Sequence, residues 1–313
     1  MSELSHYEKT GYLHDDFKIF HLKDTSMRPI DFHYHDFHKI LIFRKGNISY
    51  NVEGRTYDLI PGDIVFVPAG TVHRPVLHSS EIYERIIIYI SRHYLDACHD
   101  SDDLSLCLKE AHQKKSHVLR IPALQTTQIA RIIHDLEQSL DSREYANELY
   151  HKLLFLELMV QLNRAALSNR IEYLSTTASN HKMINVIDYL NAHLTDDITI
   201  DFLAEHFYLS RYHLMHAFKE ETGYTIGNYL TTKRLLLARD QIAQGNPSPP
   251  PVMPVVFTII PPFPGHTANI LAVLPENSAI DLSACYILRS ASVLISAGIS
   301  CFFLDTTFSS IIP

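Results

Sequence analysis

The sequence predicts an α+β chain of two domains: an N-terminal β-barrel, a helical connector and a C-terminal all-α region, followed by an atypical apolar tail. Three observations predict it. Short β-branched and aromatic runs cut by tight turns fill residues 17–91. Helical periodicity replaces them from Leu124 onward, and a proline run ends that regularity after Pro247. The boundaries drawn on this basis are 1–100 for the barrel, 101–180 for the connector, 181–246 for the helical region and 247–313 for the tail.

A length of 313 residues accommodates two domains, at roughly 100–200 residues each. Apolar content of 46% with 20% charged residues describes a folded chain rather than a disordered one. The net charge of -8 argues against sequence-blind attachment to nucleic acid but allows a local binding face. The 4 cysteines (Cys98, Cys107, Cys285, Cys301) form neither a CxxC pair nor a dense framework, which suits a reducing cytoplasm. The N-terminus, M-S-E-L-S-H-Y-E-K, is too polar for a signal peptide. A cytoplasmic location is therefore expected.

The strands are expected at 17–22, 38–43, 48–52, 56–60, 64–67 and 83–90. Between them, Lys45-Gly46-Asn47, Glu53-Gly54-Arg55 and Pro61-Gly62-Asp63 each supply a residue that tolerates positive φ. Many evenly spaced strands with little helix signal point to a small barrel or sandwich.

In the connector, Ile129, Ile132, Ile133 and Leu136 recur at helical spacing. A longer run carries Leu149, Leu153, Leu154, Leu156, Leu158, Met159 and Leu162 on a broad apolar stripe. One side of that stripe can pack on the barrel and the other on a partner helix. A homodimer and an internal helical hairpin are both compatible with it.

His33-Tyr34-His35 places two imidazoles on one side of an extended segment. Gly62-Asp63-Ile64-Val65-Phe66-Val67-Pro68-Ala69-Gly70-Thr71-Val72-His73 follows, with glycines turning the chain at both ends of a buried strand and His73 aimed back at the barrel mouth. These two stretches resemble the signature motifs of the cupin superfamily, which implies a cupin-like barrel. Metal-binding cupins carry a glutamate shortly after the His-x-His pair, but the stretch here is Asp36-Phe37-His38-Lys39. Three or four imidazoles can still hold zinc or a similar metal, while an ammonium on Lys39 opposes it. The expectation is an organic effector held by His33, His35, His38, Lys39 and His73, with no metal and no cofactor.

From Ile198 to Ser210 the chain reads as a short helix capped by Asp201 or Thr199, with Leu203, Ala204 and Phe207 inward. Ser210 then caps a second helix, in which Leu214 and Phe218 share a face, and Gly223 stops it. Two short helices joined by a tight turn can lay the second in a DNA major groove. Helices around 184–194 and 226–242 frame the motif.

The start Ile198-x-x-x-x-Leu203-Ala204-Glu205, the core Leu209-Ser210-x-x-x-Leu214-x-x-x-Phe218-Lys219-x-x-x-Gly223 and the sequel Tyr229-Leu230-x-x-x-Arg234-Leu235-x-x-Ala238 resemble the DNA-binding domain of the AraC/XylS family of transcription regulators. With the cupin-like barrel, the resemblance covers about residues 17–246. It implies a ligand-responsive transcription regulator and not an enzyme. In that reading Tyr212, Met215 and His216 reach base edges, while Arg211 and Lys219 favour phosphates. The implied partners are promoter or operator DNA, a small-molecule effector (a sugar by family analogy), a second copy of the chain and RNA polymerase. No membrane partner is implied.

Members of the family carry a second helix-turn-helix after a Gly-Asn-Pro such as Gly245-Asn246-Pro247. Here Ser248-Pro249-Pro250-Pro251-Val252-Met253-Pro254 follows, and a proline run cannot make the required helix. Codons permitted from Pro247 to Ser278, read one base out of frame, include a string with the Gly-Phe-x-x-x-Ser-x-Phe-x-Arg core of that missing motif. A frameshift near Pro247 is the expectation. The competing reading of the tail is a membrane segment at 284–304, interrupted by Arg289. The competing function is a metal-dependent cupin enzyme, an isomerase or oxygenase, which needs a fuller ligand set around an open metal position.

Overall fold

Alternating in-and-out side chains, cut by glycine turns, produce seven strands among the described residues of the first 90. They are β1 (Phe17–Asp24), β2 (His38–Lys45), β3 (Ile48–Val52), β4 (Arg55–Asp58), β5 (Ile64–Val67), β6 (His73–Leu77) and β7 (Tyr83–Ile90). The structure, a computed structural model, describes Leu13 and residues 17–25, 29–92, 94–97, 102–140, 142–178 and 180–243. The tail, with the frameshift expectation, and Cys98, Cys285 and Cys301 lie outside the described residues.

The strands form two antiparallel sheets. One has the order β1-β7-β2-β5-β8-β9, the other β4-β3-β6. The last two strands of the six-stranded sheet, β8 (Val118–Arg120) and β9 (Glu172–Tyr173), come from the stretch read as a helical connector, so that stretch is built into the barrel's larger sheet. They are too short to show a period in sequence. Strand β6 was equally hidden, because Pro75 sits inside it; the three-strand order leaves β6 at an edge, where a proline costs least.

Period-2 alternation on β2 sorts two cores. Leu41 and Phe43 join Tyr50, Val52, Tyr57, Val65, Val67, Tyr83 and Ile87 inside the barrel. Ile40 and Ile42 face the other way, with Ile86 and Ile88, against helices α2 (Leu106–Gln113), α3 (Gln128–Ser139) and α4 (Asn147–Leu167). A four-residue helix, α1 (Tyr94–Ala97), precedes them. All four isoleucine and leucine positions expected on α3 are buried. On α4 the stripe splits: Leu154, Leu158, Met159 and Leu162 are buried, whereas Leu149 and Leu153 are 57% and 55% exposed.

The helical region comprises α5 (His181–Ala192), α6 (Ile200–His206), α7 (Arg211–Thr222) and α8 (Ile226–Ala243). Leu203, Leu214, Ala217, Phe218, Ile187 and Leu190 form its core. Residues up to Leu236 cluster as one compact unit, so barrel and helix-turn-helix belong together. Among the described residues no helix is long and apolar enough to cross a membrane.

Candidate functional site

The barrel mouth closes where His33 and His73 meet in an antiparallel bridge, with reciprocal backbone hydrogen bonds of 3.1 and 2.9 Å. The pairing brings the two sequence motifs face to face. The His33 and His73 rings lie 4.3 Å apart, and His35 lies 4.9 Å from His73. His33 Nδ1 donates to the Asp31 carbonyl and His73 Nδ1 to that of Thr71. A carbonyl only accepts, so each Nδ1 carries the proton and each Nε2 keeps its lone pair. Burial depresses both pKa values, that of His33 to about 4, with the Lys39 charge adding to the effect. Both rings are therefore neutral acceptors near neutral pH.

Lys39 points inward from β2 and is buried. Its Nζ donates to His73 Nε2 at 3.3 Å and lies 5.8 Å from the Tyr50 ring centre. Burial, and then the Arg85 charge, push its pKa down to about 7. Arg85 itself is held by Asp24 at 2.6 Å and by the Tyr83 carbonyl. His38 takes the opposite face of β2, where Ala69 N donates to its Nδ1, so the structure does not bring it to the other four residues.

The ligand-capable nitrogens of His33, His35 and His73 lie within 4.8 Å of one another, close enough to be tested as a metal site. The donor set fits poorly. Lys39 takes the His73 lone pair that a divalent ion needs and places an ammonium beside it. A hydrogen-bonding site for a polar organic molecule fits the same residues.

On the helical side, the caps are those the motif requires. Thr199, not Asp201, caps α6 by accepting from Phe202 N, and Ser210 caps α7 by accepting from His213 N. Asp201 instead pairs with Arg211 at 3.1 Å. Tyr208, at φ 54°, makes the turn between them. Arg211, Tyr212, Met215, His216 and Lys219 all lie on the exposed face of α7, and Tyr212 is 77% exposed. Arg234 braces the region from behind, donating to the carbonyls of Leu194 and Asp196 at 2.7 Å each.

Sequence reasoning missed how the barrel meets these helices. The β3–β4 turn, with Glu53 at φ 48° and Gly54 at φ 76°, reaches α5. A Cβ on Gly54 would come within 2.9 Å of Ile187 Cδ1. Glu53 is buried and accepts from Asn191 (2.7 Å), Tyr229 (3.0 Å) and Lys233. Burial is the largest influence and opposes its charge, but Lys233, His117 and the Tyr229 hydroxyl together outweigh it and lower the carboxyl's pKa. Arg55 grips both oxygens of Asp188 at 2.7 and 2.8 Å. Phe32 and Val72, each one residue from a bridging histidine, pack in the helical core. A glutamate in a turn normally reads as solvated, so nothing in the sequence marked Glu53.

Residues 22–159 match the family described as "AraC-like ligand binding domain". Residues 190–231 match "Bacterial regulatory helix-turn-helix proteins, AraC family". The chain belongs to the AraC family. Among curated relatives, the HTH-type transcriptional activator RhaS of Escherichia coli (strain SMS-3-5 / SECEC) is 26% identical over 207 residues, covering 66% of this chain and 72% of the relative. RhaS of Shigella sonnei (strain Ss046) matches to the same extent. Among solved structures, ToxT from Vibrio cholerae is 13% identical with a TM-score of 0.32, covering 82% of this chain and 99% of that one.

Proposed function

We propose that this AraC-family chain is a cytoplasmic, ligand-responsive transcription regulator that acts by binding rather than by catalysis. The barrel takes a small-molecule effector at His33, His35, Lys39 and His73, and α7 reads DNA. Tyr212, Met215 and His216 address base edges, while Arg211 and Lys219 address phosphates. The observation that carries the reading is the continuity of the two sites: His33 and His73 are bridge partners, and their neighbours Phe32 and Val72 belong to the helical core. An effector that moves the bridge therefore acts on the helix-turn-helix directly, shifting the population of its orientations. The exposed stripe of Leu149 and Leu153, with Tyr145 and Tyr150 near it, supports pairing with a second copy through α4.

One helix-turn-helix supplies about half of the contacts that two successive motifs supply, which lowers specific affinity toward non-specific levels. The test is selection from a randomised duplex library. It compares the chain with a version carrying the shifted reading frame from Pro247 onward. The expected result is a defined site for the restored version and weak or no selection for the present chain. Failure of both to select any site overturns the DNA-binding reading.

A further inference from the structure

Two polar groups deep in the barrel lack the partners their burial demands. The Lys39 side chain is buried, and among the described residues no carboxylate pairs with it; the hydrogen bond it makes there is to a neutral imidazole. The Tyr50 hydroxyl is buried with no hydrogen-bond partner among the described residues. The two side chains are neighbours: Nζ lies over the Tyr50 ring, and that ring stacks on His73 at 6.0 Å. Burying a charge without a counter-charge is costly, and so is a buried hydroxyl left unsatisfied.

We infer that the barrel is built for an organic acid, whose carboxylate is held by the Lys39 ammonium and the Tyr50 hydroxyl. This rests on the effector-binding reading above and narrows it from any small molecule, a neutral sugar included, to an anion. The charge count favours a carboxylate over a phosphate. Arg85, the other buried cation nearby, is already committed to Asp24 and to the Tyr83 carbonyl, so Lys39 alone is available to one negative charge. The depressed pKa of Lys39 is what burial without an anion produces, and a bound carboxylate reverses it. His33 completes the chemistry. Its Nδ1 donates to the Asp31 carbonyl, so its Nε2 accepts; a hydroxyl group on the acid donates to it, and a hydroxy acid is the best-matched ligand.

The experiment is thermal unfolding of the full chain near pH 6.5 with three probes: acetate, acetamide and glucose. Acetate and acetamide share a shape and differ in charge. The expected result is stabilisation by acetate in the millimolar range and none by acetamide. Lys39→Met should weaken the acetate response by about tenfold or more, and Tyr50→Phe should weaken it several-fold. Both substitutions conserve volume, and circular dichroism of each variant checks that it is folded. Equal responses to acetate and acetamide, or an acetate response that survives in folded Lys39→Met, overturn the inference. Stabilisation by glucose alone, unchanged in Lys39→Met, overturns the acid and leaves the effector reading standing. No response to any probe also overturns it, and the regulator reading then rests on the duplex selection alone.

Discussion

Lys39 shows how one buried side chain sets a pH dependence. Its pKa falls from 10.5 to about 7 in the folded chain, so between those values the unfolded state binds more protons. Stability contributed by this group therefore rises with pH across 7 to 10.5. Urea unfolding over that range should show the rise in the wild type and a flatter profile in Lys39→Met. The histidines act on the acid side. His33 and His117 are both depressed from 6.5 to about 4 by burial, and His73 is depressed as well. The unfolded chain takes up their protons first, so stability is lost as pH falls from 6.5 toward 4. A chain whose midpoint stays constant over that interval contradicts the buried, neutral assignment.

At the scale of elements, α7 depends on both its ends. Ser210→Ala removes the cap accepted from His213 N and should cost about 1 kcal/mol, measured by chemical unfolding. Gly223 closes the helix at φ 78°, and a Cβ there would lie 2.7 Å from Phe32 Cβ. Gly223→Ala should therefore cost more than the ~1–2 kcal/mol of a left-handed conformation alone, because the barrel segment must also move. Helix α4 presents the opposite situation, an apolar stripe left open. Leu149→Glu with Leu153→Glu should convert a dimer to a monomer in sedimentation without changing the midpoint of unfolding much, since neither residue is in the core. An unchanged sedimentation profile, dimeric in both, sinks the α4 interface.

In the whole molecule, the barrel and the helical region meet through buried charge. Glu53 joins Lys233, Tyr229 and Asn191, and Arg55 joins Asp188, which also pairs with Lys115 at 3.1 Å. Removing one member of a buried pair leaves its partner uncompensated and commonly costs about 3–5 kcal/mol. Glu53→Gln retains the shape and part of the hydrogen bonding, so a smaller loss is expected. Hydrogen exchange should speed up around β3, β4 and α8 while the barrel's larger sheet stays protected. Uniform acceleration across the chain would mean global destabilisation and no localised contact.

The sequence alone determined the barrel, the helix-turn-helix and the residues on the exposed face of α7, because each leaves a local, periodic signature. Strand alternation, positive-φ glycines, Ser210 at a cap and Leu214 with Phe218 four apart are all short-range effects. It also named four of the residues gathered at the barrel mouth, since His-x-His spacing and the glycine-bounded strand are written in the chain. Only tertiary structure decided which of them converge. His38 leaves the group because β2 alternates, whereas Tyr50 joins it from a different sheet. Strands β8 and β9, Arg85 beside Lys39, and Glu53 against Lys233 depend on contacts between residues far apart in sequence. Such pairings leave no period to read, because a turn glutamate or a three-residue strand acquires its role from what the fold places opposite it.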